Sequence, residues 1–358
     1  MTRQICAPPG APFQQTTASS IGLDELGKTA DGVSNIKLAT ACKQPIGEFC
    51  PHKIRLQRFR ITTLARGRLL RRIIKRVLKL LIPKRLRRYI KVWWRERPEE
   101  ARLKAKTRRA GGNQGTISFY PGRPRPQSVV REIMAALGMN VRRSKKGSVV
   151  FFWPTDENTY PPQPGHWINS GCTNIDKDLV DRIFSDLAGY SITVDPRTYN
   201  EPYVRKSTRN SAHDGAIFLE PSQPQPGYVY QKLIDNIFDT EIEELRIIYI
   251  GRVVDFLYIK RRTIENRFLN PNQSVRSVPT ISALSPPEVA LVEKTARALG
   301  LDCGEIDVLR DKRDGRIYVI DVNRTPDGPP LLFTREQSDE VAMRMAEAFR
   351  RAFLTSSP

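Results

Sequence analysis

Asp307, Asp321 and Asn323 are the residue types from which an oxygen-ligand site for a hard divalent cation is built. Asp307 lies in the apolar run Glu305–Leu309, and Asp321 in a second run, Arg316–Val322, with Asn323 just after it. The charged turn Asp311–Gly315 joins the two. Strand alternation puts Glu305 and Asp307 on one face of the first run, and Val319, Asp321 and Asn323 on one face of the second. Tyr318, Ile320 and Val322 then share the other face. An antiparallel pairing brings the two carboxylates and the amide oxygen together at a strand end. Such a set suits Mg²⁺, which keeps several waters and shares phosphate oxygens. Taken alone, Asp-x-Asn is a weak signal and reads better as an exposed hairpin of ordinary polar residues.

Other residues give the pair company. Lys206 ends a strand, Tyr203–Lys206, before a loop of small and polar residues, Ser207–Gly215, that contains His213. A lysine there is a point charge for phosphate oxygens, and small residues let backbone N–H groups approach them. The apolar strand Gly227–Leu233 runs into acidic Asp235–Glu244. Then come Arg246 and the basic cluster Lys260, Arg261, Arg262 and Arg267, with Asn270 and Asn272. Arg246, Lys260 and Arg261 read equally as solvated strand positions, and His213 reads as a loop hydrogen-bonder rather than a catalytic base.

The elements that must position these groups are legible as alternating patterns. Residues 115–165 predict a strand (Thr116–Tyr120), a helix (Gln127–Leu137, stopped by Gly138) and two strands (Met139–Arg142, Ser148–Trp153). A helix follows at Lys177–Leu187, then a short strand at Ala216–Leu219. A hairpin is expected at Leu245–Ile250 and Val253–Lys260 across Gly251-Arg252. Ser285-Pro286-Pro287-Glu288 is a capping box that starts a helix running to Leu299, and Thr334-Arg335-Glu336-Gln337 caps a last one to about Phe353. The fold class is α/β (α+β).

In order and spacing, this set resembles the ATP-grasp superfamily, in its glutathione synthetase and amino-acid ligase-like branch. The resemblance covers about 165–330, and more weakly 115–160 as a preceding α/β domain. It implies a pre-ATP-grasp domain at 115–165 and an ATP-grasp domain at 166–358. It also implies roles. Lys206 would hold the nucleotide phosphates, with Lys177 of Ile175-Asp176-Lys177 as a second lysine. Gln231, Lys232, Leu233 and Ile234 would form the hinge whose backbone reads adenine, with the Lys232 side chain beside the base; Asp235 or Asp239 would meet the ribose. Arg262 and Arg267 would steady the transferring phosphoryl group, and Asp307, Asp321 and Asn323 would ligate Mg²⁺ or Mn²⁺ bridging the phosphates of ATP. The family usually has Glu where this chain has Asp321, and a small-residue turn where it has Arg324-Thr325-Pro326-Asp327-Gly328-Pro329-Pro330, so acceptor identity does not carry over. The implied activity is ATP-dependent carboxylate–amine ligation through an acyl phosphate, with small-molecule or peptide substrates. The alternatives are a phosphotransferase of the same fold, and a silent nucleotide-binding protein recruited through a basic helix.

That helix accounts for the unusual charge. The 358 residues carry a formal net charge of +21, and residues 53–109 hold 23 Lys/Arg against three acids. The core is therefore near neutral and not a nucleic-acid-binding fold. Residues 1–52 lack periodicity and read as disordered. Within 53–110, residues 64–97 predict a basic amphipathic helix, kinked or split at Pro83. It is suited to a membrane surface, a protein partner, RNA, or docking on its own domain. Cys42, Cys50 and His52 lack the short paired spacing of a zinc site, and the five scattered cysteines imply no disulfide framework. With no signal peptide or spanning run in the sequence, the expectation is a cytoplasmic protein, free or peripheral at the inner membrane surface.

Overall fold

The computed structural model describes residues 84–112, 114–147, 149–155, 160–161, 167–208, 212, 214–269, 271–326 and 330–355, with backbone alone for 84–95. The readings for residues 1–83, Cys42, Cys50, His52, His213 and Asn270 lie outside these. Among the described residues no helix is long and apolar enough to cross a membrane.

Helix α1 (Lys84–Arg109) starts directly after Pro83. It continues well past 97, through Pro98, although proline removes one helix hydrogen bond. Docking of the stretch beyond Pro98 offsets that loss. Leu103 is buried, Arg102 and Lys106 pair with Glu132, Lys106 reaches Asp339 at 2.5 Å, and Glu100 holds Arg131 at 2.7 Å. These contacts dock residues 99–106, which lie beyond the 64–97 stretch of the basic helix, on their own domain. Lys104, Arg108 and Arg109 face outward.

The next segment builds a parallel three-stranded sheet in the order β2-β1-β3, from β1 (Thr116–Pro121), β2 (Asn140–Arg143) and β3 (Val149–Trp153). Helix α2 (Val129–Ala136) crosses from β1 to β2 and is buried over most of its length. Helix α3 (Lys177–Ala188) ends at Gly189, which takes the left-handed conformation that glycine allows. An antiparallel sheet, β5-β4-β6, then forms from β4 (Tyr203–Ser207), β5 (Ala216–Phe218) and β6 (Tyr228–Lys232).

The largest sheet is antiparallel, in the order β10-β9-β8-β11-β12, with β7 (Ile237–Phe238) pairing β8. Its strands are β8 (Glu241–Ile250), β9 (Val253–Thr263), β10 (Ser274–Pro279), β11 (Cys303–Arg310) and β12 (Ile317–Asn323). The pattern missed β10 and short helix α4 (Thr280–Ala283), because Ser274–Pro279 alternates weakly and stays mostly exposed. Leu245, Ile247, Ile306, Val308 and Val322 supply the buried core on one face, which also takes in Val180 and Phe184 of α3 and Val292 of α5 (Pro286–Ala298). Each such side chain contributes about 1.5–3 kcal/mol when fully buried. On the other face, Ile248, Phe256 and Tyr258 join a core with α2 and with α6 (Arg335–Phe353). The remainder of that face carries the charges. The frame is locked where Gly171 meets Gly300: a Cβ on Gly300, at φ +69°, would lie 2.4 Å from the Gly171 carbonyl carbon.

Candidate active site

Strand register brings the proposed ligands together. In β11, Asp307 is opposite Arg246 of β8 on one side and Asp321 of β12 on the other. Two pairs further along, Glu305 is opposite Asn323. A bulge separates the Asp307–Asp321 pair from Val308–Val319 and leaves Ile320 as the extra residue. Tyr318 consequently pairs with Leu309, where unbroken alternation would have placed Val319. Such a bulge breaks the period-2 pattern, which is why it was not visible in the sequence.

These charges are largely withdrawn from solvent and cross-linked. Arg246 grips Asp307 through Nε to Oδ1 (2.8 Å) and Nη2 to Oδ2 (2.9 Å), and reaches Glu305 at 3.2 Å. Glu244 accepts from Lys260 and from Arg262 (2.8 Å to Arg262), while Arg262 also donates to the Leu269 carbonyl. Lys260 is 7% exposed, so the solvated reading fails for it; cross-strand pairing with Glu244 makes its burial affordable. Arg246 is likewise paired rather than solvated. Arg261 is only partly exposed, pairs with Glu243 and lies over Phe238.

Burial alone would raise the Asp307 carboxyl, but the Arg246 guanidinium, followed by the Lys260 ammonium, holds it well below the usual carboxylate range. Asp321 behaves oppositely. Burial pushes it up to about 6, with Lys177 and Lys206 pulling it down and Asp307 adding to the rise. Burial lowers Lys206, and the carboxylates of Asp181 and Asp321 oppose that shift. Lys177, Lys206, Asp307 and Asp321 thus share one electrostatic neighbourhood, although they come from α3, β4, β11 and β12.

Of the candidate oxygens, both of Asp307 are held by Arg246, and one of Asp321 is open to a hard cation. Asp321 Oδ1 is buried with no hydrogen-bond partner, opposite a second carboxylate. Asn323 Oδ1 faces donors, accepting from the Thr325 N–H at 3.0 Å. Among the described residues no cluster of three or more His, Cys, Asp or Glu is placed to hold a metal, so the candidate set remains two carboxylates and an amide.

Beside this set is a narrow cleft. Gln231, Lys232, Leu233 and Ile234 form part of its wall, with Lys206, Arg267 and Phe268 also lining it. Gly215 makes room for Phe268, because a Cβ there would lie 2.3 Å from the ring. Arg267 is held at 2.7 Å by Asn236 Oδ1. The Lys232 ammonium is directed at the turn between β11 and β12. It lies 4.0 Å from the Tyr318 ring centroid, bonds the Tyr318 hydroxyl and approaches Asp314 at 3.5 Å, drawn by the acidic turn between β11 and β12. Asp235 lies beside the cleft, and its carboxylate acts on Arg267. Asp239 sits exposed in the β7–β8 turn at φ 55° and does not line the cleft.

Sequence reasoning missed Asp181, which is 1% exposed and binds Gln231 at 2.6 Å. Its position four residues after Lys177 on a helix was the only available signal.

No protein-family model matches the chain, and no curated protein matches it in sequence. Among solved structures it is similar to the ATP-grasp ligase PsnB complexed with a phosphomimetic variant of minimal precursor, Mg and ADP, at 12% identity and TM-score 0.46, over 66% of this chain and 98% of that one. It is also similar to the macrocyclase MdnC bound with precursor peptide MdnA from Microcystis aeruginosa MRC, at 14% identity and TM-score 0.40 (65% and 98%). A third is D-alanine–D-alanine ligase from Bacillus anthracis complexed with ATP, at 13% identity and TM-score 0.43 (67% and 97%). At this identity the likeness concerns the mixed α/β fold alone.

Proposed function

We propose that this chain is an ATP-grasp protein that uses Mg-ATP to join a carboxylate to an amine. One observation carries the reading: the Asp307–Asp321 pair faces the charges of Lys177 and Lys206 beside a cleft walled by Gln231–Ile234. Phosphoryl transfer asks a protein mainly for positioning and charge neutralisation, and these residues can supply both.

In this reading, Lys206 and Lys177 hold phosphate oxygens while the Gln231–Ile234 segment receives the base. Asp307, Asp321 and Asn323 would hold Mg²⁺, which would supply charge neutralisation at the phosphates. A substrate carboxylate oxygen attacks the γ-phosphorus, the bond to the β-phosphate oxygen breaks, and ADP leaves. The amine nitrogen then attacks the acyl carbon of the acyl phosphate, phosphate departs, and the nitrogen gives up its proton. Arg262, steadied by Glu244, and Arg267, steadied by Asn236, supply positive charge to the transferring group in this reading.

The test is a thermal-shift screen with Mg-ATP and libraries of carboxylates and amines, followed by hydroxylamine trapping of each hit. Carboxylate-dependent ADP release with a matching hydroxamate supports ligation. ADP release onto a hydroxyl, with no hydroxamate, supports the phosphotransferase alternative instead. No response to Mg-ATP sinks both.

A further inference from the structure

Asn169 is fully buried in the connection between β3 and α3. The residue before it, Ile168, is bonded into the parallel sheet beside β3. It donates to the Val150 carbonyl at 2.9 Å and accepts from the Phe152 N–H at 2.8 Å. From that anchorage the Asn169 amide reaches the two strands that carry the candidate cation ligands. Its Nδ2 donates to the Cys303 carbonyl at 2.6 Å, where β11 begins, and to the Arg324 carbonyl at 3.0 Å, one residue past the end of β12. Its Oδ1 accepts from the N–H groups of Asp302 and Cys303, both at 2.8 Å. The Asn169 N–H donates to Asp302 Oδ2 at 2.6 Å.

Residue type matters at this position. Asn169 has φ 64°, a left-handed conformation that asparagine and glycine tolerate. Glycine has no amide to offer, and aspartate would set an acceptor oxygen against two carbonyls. The clasp also sits where β11 and β12 approach most closely: a Cβ on Gly304 would lie 2.4 Å from the Asn323 carbonyl oxygen. Beyond it the chain stays held. The buried Arg324 guanidinium donates to the Cys172 carbonyl, and Ser128 Oγ donates to the Pro326 carbonyl at 3.0 Å. Buried hydrogen bonds of this kind add modest net stability, but they specify one geometry.

Resting on the Mg-nucleotide reading above, we propose that Asn169 is a positioning residue for the cation ligands. By fixing Cys303 and Arg324 together, it sets the spacing and register at which Asp307 faces Asp321 and Glu305 faces Asn323. Asn323 immediately precedes the clasped Arg324, and Asp321, whose Oδ1 has no hydrogen-bond partner, lies two residues further back. A loosened clasp therefore moves the ligand oxygens while the apolar face of the sheet still holds the fold together.

Asn169→Gly deletes the amide and keeps a backbone free to hold the positive φ. Calorimetry on the full chain, titrating a non-hydrolysable ATP analogue at a series of Mg²⁺ concentrations, reads the effect without turnover. The Mg²⁺ concentration that gives half-maximal analogue affinity is expected to rise about tenfold or more, as when an outer partner of a metal ligand is removed. Ile306→Ala, destabilised in the apolar core, is the control and is expected to keep the wild-type value within about twofold. Asn169→Gly matching that control overturns the inference, because a merely structural role predicts it. If Asn169→Gly fails to fold, hydrogen exchange in wild type decides. A clasp that favours the cation is favoured by it in return, so adding Mg²⁺ to the analogue should slow the Asp302 and Cys303 amides more than those of Leu257 and Ile259 in β9. Equal slowing at both places overturns the inference. Wild type whose analogue binding ignores Mg²⁺ defeats the Mg-nucleotide reading itself, a distinguishable result.

Discussion

The two faces of the β8–β11–β12 sheet are made by the same strands and spend their burial differently. On one face, Leu245, Ile247, Ile306, Val308 and Val322 form an apolar core. On the other, one residue out of step, lie Glu244, Arg246, Glu305, Asp307 and Asp321. Buried ion pairs rarely outcompete apolar packing of equal volume, because desolvation consumes most of the Coulombic gain. The charged face therefore contributes little that hydrophobic residues could not contribute better. Its composition makes sense as preparation for a polyanion and a cation, whereas the apolar face holds the strands in register.

Substitutions can separate these two roles. The largest effect is expected from Lys206→Ala, with an activity loss of about 10²–10³-fold or more in a steady-state ADP-release assay and the folding midpoint little changed. An equally large loss of folding stability would instead make Lys206 structural. Arg246→Met leaves Asp307 and Glu305 without their guanidinium and should cost about 3–5 kcal/mol in urea unfolding. Adding Asp307→Leu to Arg246→Met should recover part of that, since it removes one stranded charge. No recovery would mean that the arginine stabilises by packing. On the opposite face, Ile306→Ala should cost about 2–5 kcal/mol, while the folded fraction keeps its Mg-ATP affinity within about twofold.

The smallest effect is a pH dependence. Asp181 and Asp321 are pushed up from 3.8 to about 6, so the folded chain holds these protons more tightly than the unfolded chain does. Stability from this source is present at pH below about 4 and is lost as pH rises through about 6. Thermal melts of the ligand-free protein should accordingly fall less steeply over that window in Asp321→Asn than in wild type. Stabilisation by Mg-ATP should grow across the same window in wild type, because ligation needs the carboxylate. Parallel profiles for the two proteins would contradict the assignment.

Most of this division was legible in the sequence. Alternation alone placed Asp307 and Asp321 on facing strands, and capping residues set the starts of α5 and α6. The illegible parts share a cause: they depend on contacts between segments distant in sequence. Asp181 looks like any surface acid of an amphipathic helix until β6 brings Gln231 to it. The basic residues of β9 look solvated until Glu243 and Glu244 arrive from β8. Lys232 points at the acidic turn because Asp311, Asp314 and Tyr318 surround its end, a set of contacts that local spacing does not register.

In the proposed function, the charged face is a metal-dependent nucleotide site. A calorimetric titration of the full chain with a non-hydrolysable ATP analogue, with Mg²⁺ or with EDTA, tests it most directly when repeated on Asp321→Ala. Saturable binding that requires Mg²⁺ and is lost in the variant is the predicted result. Binding that is equal with EDTA, or unchanged in Asp321→Ala, would contradict the account.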